Sequence, residues 1–355
     1  MSTRTPQGDR AGREDEGVIP LVPTAAAARP AGHVPVLLDE AVEALAVVPG
    51  GRYVDATYGR GGHSGRLLER LGPTGGLLAL DRDPEAVSDA RARFGGDPRF
   101  AVVRADFAAL GEVLRGEDGW HGAVDGLLLD IGVSSPQLDV AERGFGFSRD
   151  GALDMRMDPD SGLSAAEWLA DVDEEELAGV IREYGEERHA RRIARAIVAA
   201  RDAAPLTRTG QLAEIVKEAH PRWERHHHPA TRTFQAIRIR VNDELGALRA
   251  ALAEAAAALR VGGRLAIISF HSLEDRIVKR ALRRPPPDAR VPRHLPQPPA
   301  AAHPWRALGK GVQASDAELD RNPRARSATL RVAERVALPG EDAPDGRAAG
   351  AGARA

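Results

Sequence analysis

"VDATYGRGGHSG" (residues 54–65) is the stretch that decides the fold of this chain. It leaves a short apolar run, "RYVDA" (52–56), passes through four closely spaced glycines and enters an amphipathic segment. Glycine permits a tight turn there and lets a ligand approach the backbone closely. The stretch therefore predicts a strand, a ligand-binding turn and a helix, in that order.

Short apolar runs alternate with amphipathic stretches on the C-terminal side of this turn. Strands are predicted at 76–81, 100–103 and 126–130, and helices at 63–71 and 84–94. The strands are apolar throughout instead of alternating, which is typical of strands buried on both faces of a mostly parallel sheet. The pattern predicts an α/β fold with a Rossmann-like open sheet.

The alternation of strands and helices stops after Asp139 for about a hundred residues. Helices are predicted at 164–185, 188–202 and 209–220, and the rhythm resumes with a helix at 242–260, a turn at Gly262 and Gly263, and a strand at 264–270. We therefore expect an all-helical domain, residues 139–241, inserted into a sheet domain formed by residues 32–138 and 242–336.

The remaining segments have the composition of connectors and tails. Residues 1–31 and 337–355 are predicted to be disordered, 284–304 form a proline-rich connector, and 327–336 form a late strand that closes one sheet edge. Cysteine is absent and no long apolar run occurs, so we expect a soluble cytoplasmic protein without disulfides or a membrane span. A net charge of −3 means that nucleic-acid binding would depend on local patches.

Two residues, an acid and an aromatic, follow the predicted strands at positions that suit an adenosyl ligand. Asp81 ends the second strand about 20 residues after the glycines, where a carboxylate accepts hydrogen bonds from ribose hydroxyls. Phe107 follows the third strand, where it can meet an adenine or belong to the core. NAD remains an alternative, but Ser64 replaces the third glycine of the dinucleotide pattern and His63 is bulky for a pyrophosphate. These features favour S-adenosylmethionine.

The run "LLLDIGVSSPQLD" (127–139) delivers Asp130 to the crevice at the carboxyl ends of the strands. "SSPQ" loosely resembles the loop that amino-methyltransferases place against an exocyclic base amine. A carboxylate there can hold the amino group of the cofactor or accept a proton from the nucleophile, and its alternative role is to cap the turn. Asp130 is the catalytic candidate.

Arginines recur on one face of the predicted helix at 188–202, and a second basic cluster follows at 232–240. The arginines are interpreted as phosphate contacts, and a solvated charged face is an equally supported alternative. Phe234 fits a core aromatic better than a stacking platform, but it is kept among the candidates. His271 follows the fifth predicted strand. The sequence lacks the glycine-flanked serine that is the nucleophile of many hydrolases, so we expect His271 in the methyl-acceptor pocket. The RNA-binding candidates are Arg192, Arg195, Arg232, Phe234, Arg238 and His271. The adjacent histidines 226–228 do not share a face, and no metal site is predicted.

Long motifs resemble one known family. They include "GRGGHS", "LDRDP", "LLLDIGVSSPQLD", "HPATRTFQAIRIRVNDEL", "ISFHSLEDRIVK" and "NPRARSATLRVAER". Over 33–284 and 305–336 the chain is similar to the ribosomal RNA small subunit methyltransferase H family. The resemblance implies transfer of a methyl group from S-adenosylmethionine to N4 of a cytosine, cytosine 1402, in the decoding region of 16S ribosomal RNA. It also implies the cofactor contacts, which are Gly61, Gly62, His63, Asp81, Phe107, Asp130 and Gln137.

The chain departs from the family outside these motifs, in its extension, its histidine run, its connector and its tail. These departures put partner contacts in doubt but leave the reaction as implied. The expected partner is 16S ribosomal RNA or the small ribosomal subunit. Three alternatives remain, namely methylation of another RNA amine, a non-catalytic ribosome assembly factor that keeps the fold, and an NAD-dependent oxidoreductase. The oligomeric state is not predicted.

Overall fold

The computed structural model describes residues 35–221, 228–283 and 302–341. Four predicted segments lie outside this description. They are the extension at 1–31, His226 and His227, residues 284–301 of the connector and residues 342–355 of the tail. Within the described ranges no helix has the length and apolarity needed to cross a bilayer.

One mixed sheet forms the framework. Its strands are β1 (Arg52–Asp55), β2 (Gly76–Asp81), β3 (Phe100–Arg104), β4 (Val124–Asp130), β5 (Leu259–Ser269), β6 (Trp305–Ala307), β7 (Val312–Gln313) and β8 (Thr329–Arg335). The order is 3-2-1-4-5-8-6, with β7 also paired to β8. The first five strands are parallel, while β8 runs antiparallel to β5, β6 and β7. The reversal of order between β1 and β4 is the switch point at which open α/β sheets bind ligands.

Helices cover both faces of the sheet, as the uniformly apolar strands require. The helices are α1 (Leu38–Ala44), α2 (Gly62–Arg70), α3 (Pro84–Phe94), α4 (Leu110–Gly116), α5 (Ser135–Asp139), α6 (Ala165–Asp171), α7 (Glu174–Tyr184), α8 (Ala190–Ala203), α9 (Thr209–Ala219), α10 (Ala230–Asn242), α11 (Glu244–Ala258), α12 (Ser272–Leu282) and α13 (Asp316–Arg321). α1 and α2 share an apolar core with one face of the sheet, and α4, α11 and α12 share a core with the other. The fold is a Rossmann-like α/β fold.

Helices α6 to α10 follow one another without a named strand and bury a core of their own. That core contains Leu169, Ile181, Ile197 and Phe234. The predicted helix at 164–185 is divided into α6 and α7, because the Asp173 side chain accepts the N–H of Glu176 and caps a new helix. We call α6 to α10 the helical layer. The domain boundaries at 139 and 241 stay a prediction.

Two predictions about the C-terminal half of the sheet were wrong in detail. Gly262 and Gly263 lie inside β5, where the positive φ of Gly262, 81°, accompanies a register shift against β4, and the strand begins at Leu259. The late strand β8 does not close the sheet, since β6 pairs with its outer side. Short edge strands of this kind leave few unpaired backbone groups.

Candidate functional site

A deep crevice opens at the carboxyl ends of the parallel strands. Its walls come from the loops after β1, β2, β3, β4 and β5, from α10 and from the segment that follows α13. Its lining includes the side chains of Tyr58, His63, Asp81, Phe107, Asp130, Gln137, Arg238, His271, Arg324 and Arg326. The crevice therefore lies where the topology predicts a ligand.

The glycine turn after β1 forms one wall of this crevice. Gly59 and Gly61 have φ values of 55° and 65°, which an L side chain rarely adopts. A Cβ atom on Gly62 would lie 2.0 Å from Cγ of Pro35, so this position also has no room for a side chain. The turn is thus held close to the ligand space by both conformation and packing.

Asp81 lies at the end of β2 beside the glycine turn. Its carboxylate accepts the N–H of Gly59 at 2.8 Å and the N–H of Asp83 at 2.9 Å. Burial raises the pKa of Asp81 to about 6, and the negative charges of Asp83 and Asp55 act in the same direction, while the two N–H donors oppose them. A buried carboxylate fixed in this way can accept hydrogen bonds from a diol.

Asp83 organises the floor between the sheet and the loop after β4. It caps α3 by accepting the N–H of Glu85, and its Oδ2 atom accepts hydrogen bonds from Gln137 at 3.0 Å and Arg143 at 2.9 Å. The Oε1 atom of Gln137 accepts the N–H of Ser134 at 2.9 Å. The predicted cofactor ligand Gln137 thus also fastens its loop to α3. The Asp-Pro pair at 83–84 predicts the cap but not the second function.

Asp130 ends β4 at the centre of the crevice. Its backbone N–H donates to Oγ1 of Thr57 at 2.6 Å, and its Oδ2 atom lies 3.6 Å from Nδ1 of His63. The Oδ1 atom is buried and has no hydrogen-bond partner among the described residues. Burial raises the pKa of Asp130 well above its ordinary value, and the charges of Asp55 and Glu274 raise it further. An acceptor left open in this way requires a donor from a ligand or water.

Two buried ion pairs stand at the wall formed by α10 and the loop after β5. Arg238 donates to both oxygens of Glu244 at 2.8 Å, and Nε2 of His271 lies 3.1 Å from Oε1 of Glu274. Burial tends to raise the pKa of Glu274, but His271 and Arg238 hold it below its ordinary value. The predicted candidates Arg238 and His271 therefore line the crevice, and both are also engaged with carboxylates.

Two candidates differ from their predicted roles. Gly61 does not line the crevice among the described residues. Its left-handed conformation caps α2, and a Cβ atom would overlap the ring of Tyr58. Phe234 is fully buried in the core of the helical layer and contacts Phe147 edge-on at 4.8 Å, which agrees with the preferred core interpretation and corrects its place among the RNA-binding candidates. An aromatic inside a helical apolar stripe belongs to the core.

Three predicted RNA contacts lie outside the crevice. Arg192 and Arg195 are exposed on α8, and the Arg195 side chain, 77% exposed, has only a distant carboxylate, Glu174, at 3.5 Å. Arg232 is half-buried on α10, where it donates to the carbonyl of Glu186 at 3.4 Å. The structure does not bring these arginines together with Asp130.

Arg324 and Arg326 were missed in the sequence analysis. They follow α13 and line the crevice. The motif "NPRARS" was the sequence signal for these two arginines. It could not be placed in the fold, because it lies nearly 200 residues after Asp130. Contacts across such separations depend on tertiary structure.

Two histidine-carboxylate clusters of the described residues bring three candidate metal ligands within 4.8 Å of one another. They are Glu187, His189 and His220, and Glu244, His271 and Glu274. Each has a carboxylate that is already used, because Glu244 pairs with Arg238 and Glu187 accepts the N–H of His189 at 2.7 Å. The first cluster includes His220, which lies near the histidine run at 226–228 in the sequence, and the absence of a metal site stays a prediction.

Comparison with known proteins connects this geometry to a family. The model of the MraW methylase family matches residues 30–336. The ribosomal RNA small subunit methyltransferase H of Thioalkalivibrio sulfidiphilus is 62% identical over 307 residues, covering 86% of this chain and 98% of the relative. The protein of the same name from Xanthomonas campestris is 53% identical over 328 residues, covering 91% and 93%.

A solved ribosomal RNA methylase from Streptococcus thermophilus is 13% identical, with a TM-score of 0.34 and coverage of 84% of this chain and 93% of that one. We draw no conclusion from a likeness at that score. The match of the family model and the identities to the two relatives extend over most of the chain, including every strand and both walls of the crevice. The chain therefore belongs to the MraW methylase family.

Proposed function

We propose that this protein transfers a methyl group from S-adenosylmethionine to the exocyclic N4 of a cytosine in 16S ribosomal RNA, within the decoding region. The observation that carries the proposal is the open, buried Oδ1 atom of Asp130 at the switch point of the sheet. The names of the relatives, both small subunit ribosomal RNA methyltransferases, support the choice of RNA.

The crevice fits the methyl donor at three places. The Asp81 carboxylate would accept the ribose hydroxyls, Phe107 would lie against the adenine, and the backbone of Gly59 and Gly62 would allow the ligand to pass close to the chain. When bound, S-adenosylmethionine supplies an electrophilic methyl group on a positively charged sulfur. Gly59 and Gly62 place no side chain in this space, so the fit at the turn does not depend on the rotamers of these two positions.

Asp130 orients the acceptor amine. The lone pair of a cytosine amine is delocalised into its ring, so the amine must be aligned with the methyl group for transfer to proceed. Oδ1 accepts one N–H of the amine, and as the new N–C bond forms and the C–S bond breaks, the surplus proton on nitrogen moves to this carboxylate. A raised pKa makes Asp130 a better proton acceptor than an exposed aspartate.

The helical layer supplies the other wall of the acceptor space. Gln235 and Arg238 of α10 line the crevice from this side, and Met157, which precedes α6, and His271, which follows β5, line it as well. The amine of a stacked, paired cytosine could not reach Asp130, so the target base must be unpaired or flipped out of its helix. We therefore propose that the helical layer covers the crevice and holds the RNA, with Arg192 and Arg195 on its exposed surface.

Nucleoside mass spectrometry tests the proposal directly. Purified protein is incubated with isotopically labelled S-adenosylmethionine and small ribosomal subunits that lack the modification, and the RNA is digested to nucleosides. We expect labelled N4-methylcytidine, and we expect that digestion into fragments maps it to one cytosine of the decoding region. A label on another amine would identify a different RNA methyltransferase, and binding of subunits without any transfer would favour the assembly-factor alternative.

A further inference from the structure

A second cavity lies near the edge of the sheet that is opposite to the β3 edge, between α12, β6 and β8. Its lining is Lys279, Leu282, Arg283, Trp305, Ala307, Gly309, Lys310, Arg331 and Val332. Leu282, Trp305 and Val332 supply apolar surface, and four cations complete the lining. No residue lines both this basic cavity and the cofactor crevice.

Three of these cations have no carboxylate partner. Arg331 is neutralised by Asp275, to which it donates from Nε at 2.5 Å and from an NH2 group at 2.9 Å. Lys279, Arg283 and Lys310 are exposed and make no ion pair with any described residue. Elsewhere on the surface, exposed arginines such as Arg66 and Arg104 each contact two carboxylates. The lining of the cavity therefore has a net positive charge and contains no acidic residue.

We propose that this basic cavity binds backbone phosphate of the small-subunit RNA, as a second contact remote from the base that is methylated. The inference rests on the proposed function, since it takes the substrate to be RNA. Lysine contacts phosphate as a point charge without reading sequence, which suits a contact that positions the substrate. Two of the three lysines of the chain line this cavity.

The position of α12 connects the two sites. Its N-cap, His271, lines the crevice, and Lys279 follows eight residues later, a distance of about 12 Å along the helix. A strand that places its target base at Asp130 and continues past α12 would bring phosphates to the cavity after about three or four nucleotides. Such a contact discriminates an extended RNA from a free nucleotide.

The test measures binding without turnover. The affinity of the protein for small subunits is measured in the presence of S-adenosylhomocysteine at several salt concentrations, for wild type and for Lys279→Gln/Lys310→Gln. Two lost phosphate contacts should reduce the slope of log affinity against log salt by about 1.4 to 1.8. Arg66→Gln serves as the matched control, because Asp39 and Glu69 already neutralise this exposed arginine, and its slope should equal that of wild type.

Binding of S-adenosylhomocysteine shows whether the variant is folded. If the double variant loses it, the single variant Lys310→Gln, in the turn after β6, replaces it with an expected slope change of about 0.7 to 0.9. An unchanged slope in a folded variant would overturn the proposal. If wild type binds subunits with the expected slope but forms no N4-methylcytidine, the proposed function fails while the cavity remains an RNA contact.

Discussion

Asp81 shows how one buried side chain connects the fold to ligand binding. It holds the glycine turn through the N–H of Gly59 and the next helix through the N–H of Asp83. Burial raises the pKa of Asp81 to about 6, although these two N–H donors act in the opposite direction. Its charge state therefore changes within the range in which binding can be measured.

Cofactor affinity should depend on the ionisation of Asp81. Below pH 6 the carboxyl is protonated and becomes a weaker acceptor for ribose hydroxyls, so the affinity should fall as the pH is lowered. If only the ionised form binds, the loss between pH 7.5 and pH 5 is about tenfold. Calorimetric titration with S-adenosylhomocysteine measures this loss, and Asp81→Asn should bind weakly with a flatter pH profile. Equal pH profiles for the two proteins would exclude this role.

At the scale of elements, the junction between α10 and α11 joins the helical layer to the sheet. Asp243 adopts a left-handed conformation between the two helices, and Asn242 donates to the carbonyls of Met155 and Arg238 and accepts the N–H of Met157. The buried pair of Arg238 and Glu244 spans the same junction. These contacts fix the path of the chain from α10 to α11.

Removing one member of the buried pair should be costly. Arg238→Met leaves the Glu244 charge buried and unpaired, which we expect to lower the free energy of unfolding by about 3 to 5 kcal/mol. Urea denaturation measures the change, and Arg238→Met/Glu244→Met should recover part of it. The matched control is Arg240→Met, because the exposed pair of Arg240 and Glu176 contributes at most about 1 kcal/mol. Equal effects of the two single substitutions would contradict this account.

Local signals predicted the parts of the fold that local chemistry determines. The glycine turn, the helix at Pro84 and the acids Asp81 and Asp130 at strand ends follow from residues close together in sequence. Contacts between distant segments left no such signal. The N–H of Leu37 donates to Glu318, 281 residues away, and Arg324 reaches the crevice from the far end of the chain.

At the scale of the whole molecule, the proposed function places the cofactor on the sheet and part of the RNA contact on the helical layer. The sheet carries the glycine turn, Asp81 and Asp130, while the helical layer has its own core and presents exposed arginines on α8. A chain with a net charge of −3 must bind RNA through local positive surfaces. Substitutions on the two layers should therefore affect different kinetic constants.

Loss of the α8 arginines should weaken substrate binding without changing the chemical step. For Arg192→Gln/Arg195→Gln we expect the KM for small subunits to rise about 3- to 10-fold, with kcat unchanged, because screened phosphate contacts are individually weak. Steady-state methyl transfer measures both constants. Arg115→Gln, on the sheet side and paired with Glu254, is the control. A fall in kcat at unchanged KM would show that these arginines act on the reaction itself.

The proposed orientation of the cytosine amine by the open carboxylate of Asp130 can be measured through the single-turnover rate of Asp130→Asn. With saturating cofactor and excess enzyme, we expect N4-methylcytidine to form about 100-fold more slowly or less than in wild type. Asp125→Asn, at the opposite end of the same strand and paired with Arg260, should keep the wild-type rate. A wild-type rate in Asp130→Asn would contradict the account.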